Sequence, residues 1–156
     1  KFKPGLVGGH CLPVDPYYFS FISKKNNYNT KITLAGRTTN NLMTTIVKKE
    51  ITEKLRKIDP QKNKKILFCG LTYKKNVADL RNSLGLKIFQ NLKKNNKKIK
   101  GYDPTLNNLI SKKNNLVISL KEFKSFDIYI LATNHSIISR NLKKLSKNKT
   151  IINILD

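Results

Sequence analysis

Near the start of the chain, residues able to do chemistry crowd together: Gly5, Gly8, Gly9, His10, Cys11 and Asp15, with Pro16 directly after. A cysteine attacks as its thiolate, and the positive end of a helix favours that form. Asp15-Pro16 reads as an N-cap with proline at the first helical position, and the apolar run at 17–22 reads as the helix body. That places Cys11 just ahead of a helix N-terminus. The glycines remove bulk where a backbone must approach a ligand closely. Spacing alone leaves two readings open for Cys11, a nucleophile or a structural cysteine buried in a glycine-rich turn.

A second gathering runs from Gly70 to Ser83 and holds Tyr73, Lys74, Lys75 and Arg81. Two lysines and an arginine between a strand end and a helix start suit a phosphate. Solvated lysines are the plain alternative. The loop is not a dinucleotide fingerprint, and no G-x-G-x-x-G occurs anywhere in the chain.

The elements that must position these groups follow from periodicity. A helix is expected at about 16–26, then a long one at 33–58, where Leu34, Leu42, Ile46, Val47, Ile51 and Leu55 recur at three- and four-residue steps. Asp59-Pro60 ends it. Short apolar runs at 64–70, 99–102, 116–119, 127–132 and 150–155 read as five strands. Helices at 84–95 and 136–145, and at most a turn at 121–125, alternate with them, and Asn82-Ser83 is placed to cap the helix at 84. That alternation predicts an α/β fold: a long connecting helix followed by a Rossmann-like, doubly wound parallel sheet. The expected division is residues 1–61 for the cysteine segment and long helix, and 62–156 for the sheet domain.

Composition narrows the class. The 156 residues carry a net charge of +23, which raises nucleic-acid binding. Most of the excess is lysine interleaved with asparagine, as at 93–98 and 112–115, without the placed arginines and aromatics that base readout uses. Solvated surface is the expectation, with no nucleic-acid partner. No apolar run approaches the roughly 20 residues of a membrane span. Two distant cysteines, Cys11 and Cys69, make no disulfide scaffold and point to a reducing, cytoplasmic setting. Cys69 and His135 are assigned to structure, and no metal site is expected. The chain opens at Lys1 inside a motif, which suggests a fragment.

Residues 3–11 (Lys-Pro-Gly-Leu-Val-Gly-Gly-His-Cys) with Val14-Asp15-Pro16-Tyr17-Tyr18 resemble the catalytic-cysteine segment of the UDP-glucose/GDP-mannose dehydrogenase superfamily. The His-Cys pair, and Val14 where UDP-glucose enzymes carry a lysine, are most similar to the branch acting on UDP-N-acetylhexosamines such as UDP-N-acetylglucosamine. Residues 70–76 with Asp79-Leu80-Arg81-Asn82-Ser83 resemble the loop that opens the family's UDP-binding domain, and Tyr102-Asp103-Pro104 matches a further, architectural element.

This resemblance implies a two-step, NAD-dependent oxidation of carbon 6 of a UDP-sugar to the uronic acid, for surface polysaccharide precursors. Cys11 is implied to capture the aldehyde and pass through a thioester, and Asp15 to activate the hydrolytic water; as a mere N-cap, Asp15 has a competing role. Gly5, Leu6, Val7, Gly8, Tyr73 and Lys74 are implied to contact the UDP-sugar, and Cys11 and Arg81 to face NAD. The helix at 33–58 is implied to form a homodimer core, although Asn41 departs from an expected aspartate. The family's NAD-binding domain has no counterpart in this sequence. The alternative reading is a UDP-binding or dimerisation module without chemistry. Which sugar epimer is used stays open.

Overall fold

A computed structural model of the chain describes residues 6–106, 116, 120–145 and 148–154. Strands β1 (Ile66–Cys69), β2 (Ile99–Tyr102), β3 (Ile128–Leu131) and β4 (Thr150–Asn153) form one parallel sheet in the order β2-β1-β3-β4. Parallel neighbours need crossovers. Between the strands stand α3 (Leu84–Asn95), α4 (Leu120–Phe123) and α5 (Ser136–Leu142), and ahead of them α1 (Asp15–Lys25) and α2 (Lys31–Ile58). The α/β, Rossmann-like architecture behind a long helix is the one expected.

Successive strand side chains point to opposite faces. Ile66, Phe68, Ile128 and Ile130 enter one cluster with Val47 and Ile51 of α2 and Ile88, Phe89 and Leu92 of α3. Leu67, Cys69, Tyr129 and Leu131 enter the other, with Phe123 of α4 and Ile138 of α5. Both faces are therefore covered, which is why the strands read as unbroken apolar runs. Burying one isoleucine contributes about 1.5–3 kcal/mol. Ile51 and Val47 thus fasten the carboxyl-terminal half of α2 to the sheet domain. Towards its other end the buried residue of α2 is Arg37, while Ile32, Leu42 and Ile46 are exposed.

Three expectations change. Val14, not Asp15, is the N-cap of α1, and no side chain caps it. The turn after Cys11 already satisfies the leading amides, since Val14 N and Asp15 N donate to the Cys11 carbonyl at 2.9 and 2.8 Å. Asp15 is drawn into the first helical turn, where its charge still suits the helix dipole. Of the strand expected at 116–119, Leu116 makes one isolated parallel bridge to Gly101. Residues 117–119 lie outside the described residues, so the sheet described has four strands and this bridge. Some elements are also trimmed at their ends, β1 to four residues, β3 to 128–131 and α5 to 136–142, while α3 and β2 keep the expected bounds and α2 starts two residues early.

Candidate functional site

Because the crossover from β1 runs to β2 on one side and the crossover from β3 runs to β4 on the other, a crevice opens beyond the carboxyl ends of β1 and β3. Gly70 closes β1 with φ of 85°, and a Cβ there would collide with the backbone of Thr133. The chain leaving β1 must pass directly against the chain leaving β3, and glycine permits it. The loop then runs to Ser83, which caps α3. Its Oγ accepts from Leu86 N at 3.2 Å and donates to the Leu71 carbonyl.

Asp103, at the end of β2, holds the base of this loop. Its Oδ2 accepts from Leu71 N (2.7 Å), Thr72 N (2.9 Å) and Thr72 Oγ1 (3.1 Å), and its Oδ1 from Thr105 N and Oγ1. Burial alone would raise its pKa. Hydrogen bonds from His135, Thr105 and Thr72 more than offset that and hold the carboxyl well below the usual carboxylate range. Burial, with the Asp103 charge adding, pushes the Cys69 thiol far up, as suits an inert structural cysteine.

The cysteine segment docks onto this loop from more than sixty residues away. Gly9 N donates to the Arg81 carbonyl at 3.0 Å, and Asn82 Nδ2 donates to the Gly9 carbonyl at 2.9 Å. Gly8 has no room for a Cβ, which would lie 2.8 Å from both Asn82 O and Tyr73 Cβ. Asn40 of α2 supports the same segment, its Nδ2 donating to the Val7 carbonyl at 3.2 Å.

The result is an open cleft of about 410 Å³ lined by Leu6, Val7, Gly8, Gly9, His10, Cys11, Leu12, Tyr73 and Lys74. Cys11 is free and exposed there. A neighbouring cleft of about 320 Å³ shares Leu6, Gly8 and Tyr73 and reaches Lys75, Thr133 and the start of α3 at Leu84 and Gly85. A thiol and a lysine thus border one cleft, next to the crevice of the sheet.

The other expected residues lie further off. Gly5 is outside the described residues. Asp15 is exposed in the first turn of α1 and lines neither cleft. Arg81 also lines neither, and its side chain, 63% exposed, clasps Asp79 with Nη2–Oδ2 at 2.6 Å and Nε–Oδ2 at 2.9 Å. This clasp holds the Asp79 carboxyl below its ordinary range. Sequence reasoning placed Asp79 and Asn82 in a motif, and Asn82 beside Ser83 as a helix cap, but gave neither of them nor Asn40 a part in holding the site together. Asn82 adopts φ of 48°, a choice no spacing rule reveals. Among the described residues, no group of three or more His, Cys, Asp or Glu side chains could hold a metal, and no helix is long and apolar enough to cross a membrane.

Residues 67–156 match the UDP binding domain of the UDP-glucose/GDP-mannose dehydrogenase family, and residues 1–42 match its central domain. The chain belongs to this family. As a family member it is 31% identical over 158 residues to a UDP-N-acetyl-D-glucosamine 6-dehydrogenase from Salmonella typhi, a match covering 97% of this chain and 37% of the relative. It is 33% identical to a UDP-N-acetyl-D-mannosamine dehydrogenase from Methanococcus vannielii, covering 96% of this chain and 34% of that protein. The solved UDP-D-ManNAc dehydrogenase from Pyrococcus horikoshii superposes with a TM-score of 0.74 at 26% identity, over 99% of this chain and 37% of that one. This family member therefore spans little more than a third of the length of such relatives.

Proposed function

We propose that the chain is the carboxyl-terminal part of an NAD-dependent UDP-N-acetylhexosamine 6-dehydrogenase with Cys11 as its nucleophile. The carrying observation is the docking of the Gly8–Cys11 turn onto the loop after β1, so that Cys11 and Lys74 border one cleft. Relatives named for two UDP-N-acetylhexosamine epimers at similar identity support the substrate class.

In this reading Lys74 meets the diphosphate, Tyr73 lies beside it, and residues 6–8 offer their backbone to the UDP-sugar. Oxidation of the carbon 6 alcohol removes a hydride and a proton and leaves an aldehyde. The Cys11 thiolate adds to the aldehyde carbon, the C–S bond forms, and the carbonyl pair moves to oxygen. Loss of a second hydride from this thiohemiacetal gives a thioester on Cys11. Water then adds, the C–S bond breaks, and the acid leaves with the thiolate restored. Asp15 is the candidate to take the water's proton, and the hydrogen bond that its backbone N–H donates to the Cys11 carbonyl holds the two residues one turn apart.

NAD would supply the hydride acceptor. The exposed Arg81 guanidinium, steadied by Asp79, fits a cation presented to an anionic dinucleotide. Without a glycine fingerprint, these residues would hold one edge of that cofactor and no more. Exposed Ile32, Leu42 and Ile46 on α2 support a homodimer through that helix.

The test of the assignment is Lys74. A charge-assisted hydrogen bond to phosphate contributes about 1.5–3 kcal/mol. Lys74→Ala is expected to weaken UDP binding about tenfold or more in calorimetric titration, with the melting temperature unchanged. Equal UDP affinity for both proteins refutes the site.

A further inference from the structure

Thr72 and Asn76 bracket Tyr73, Lys74 and Lys75, and both ends of this span converge on one ring. His135 has no exposed surface. Its Nδ1 accepts from the Asn76 amide at 3.0 Å, so Nδ1 is bare and the ring proton sits on Nε2. Nε2 lies 3.0 Å from Thr72 Oγ1 and 3.2 Å from Asp103 Oδ2. Thr72 Oγ1 gives its own proton to Asp103, which leaves its lone pairs free to accept from Nε2. The neighbouring Ser136 adds two ties to the Asn76 side chain, at 2.9 and 3.1 Å. Filling this volume needs no more than an apolar side chain. Instead one ring nitrogen holds each end of a five-residue span.

We infer that His135 is a positioning residue that sets the span from Thr72 to Asn76 and, through it, the direction of Lys74. Lys74 is exposed, so the backbone that carries it decides where its ammonium points. The step from latch to ligand rests on the UDP reading above; the latch itself does not.

Two substitutions separate the nitrogens. In His135→Asn the side-chain oxygen can occupy the Nδ1 position and still accept from Asn76. In His135→Gln the amide nitrogen can occupy the Nε2 position and still donate to Thr72 and Asp103. His135→Ala keeps neither. Amide hydrogen exchange at Asn76, UDP titration and the thermal midpoint are measured on all three variants. His135→Asn is expected to keep the Asn76 protection and UDP affinity within about twofold. His135→Gln and His135→Ala are expected to lose that protection and to weaken UDP binding roughly three- to tenfold, the worth of one hydrogen bond. The inference is overturned if His135→Gln keeps the Asn76 amide protected. It is equally overturned if UDP affinity follows the thermal midpoint across the series and not the Asn76 protection. Should His135→Ala fail to fold, the Asn and Gln variants decide. A wild-type chain that ignores UDP removes the substrate reading, and Asn76 exchange then decides the latch alone.

Discussion

Asp103 makes the clearest case at the scale of single residues. It is 4% exposed and its carboxylate collects donors from Leu71, Thr72, Thr105 and His135. Its folded pKa lies below the unfolded value near 3.9. Its contribution to stability is therefore fully present above about pH 4 and is lost as the pH falls towards the folded pKa. Hydrogen bonds to a charged acceptor contribute about 1.5–3 kcal/mol each, and an asparagine cannot accept from all of these donors. Asp103→Asn is expected to lower the unfolding free energy by at least about 2 kcal/mol at pH 7, with a smaller gap from wild type at pH 3. Denaturant titrations at the two pH values check this, and a gap that widens at pH 3 contradicts it.

The element that sets the shape of the site is α2. Ile51 and Val47 tie one half to the sheet, and Asn40 near the other end reaches the Val7 carbonyl. The helix thereby carries the register of the sheet domain to the cysteine segment. Its face at Leu42 and Ile46, each 54% exposed, is left uncovered by this chain. If a second copy covers it, Leu42→Glu or Ile46→Glu places a charge in an apolar contact, which is unfavourable by several kcal/mol when the charge is unpaired. Light scattering is expected to show a dimer for wild type at tens of micromolar and a monomer for either variant. A wild-type monomer at that concentration removes the dimer proposal.

At the scale of the whole molecule, the site brings together Cys11, proposed as the nucleophile, and the loop of Lys74, proposed to meet phosphate, and the sequence holds no dinucleotide fingerprint. Hydride transfer needs reacting atoms within about 3–3.5 Å, held there by a bound cofactor. The 156-residue chain alone is expected to bind UDP and to reduce no NAD with any UDP-sugar, followed at the absorbance of the reduced cofactor. In the complete enzyme, Cys11→Ser should abolish acid formation, because an alkoxide is far harder to form near neutral pH than a thiolate. Loss of Asp15 should instead leave an acylated protein visible by intact mass. Uronic acid made at the wild-type rate by Cys11→Ser would overturn the mechanism.

Much of this was legible in the order of residues. The alternation of apolar runs with amphipathic stretches determined a parallel α/β sheet, because strands covered on both faces must be apolar throughout. The two motifs around Cys11 and Lys74 marked the family, since each is a local run whose residue types serve one loop. Ser83 could be read as a cap, because capping depends on neighbours three residues away. Asp15 could not be denied that role from sequence, because the carbonyl that displaced it belongs to the turn after Cys11. Tertiary structure alone decided what joins the motifs: Gly9 to Arg81, Asn82 to Gly9, and the buried ring of His135 between Thr72 and Asn76. These contacts link residues about sixty or more positions apart, and no periodicity records them. They arise because parallel strands deliver their carboxyl ends to one edge of the sheet, where distant loops must share hydrogen-bond partners or leave them buried and unmet.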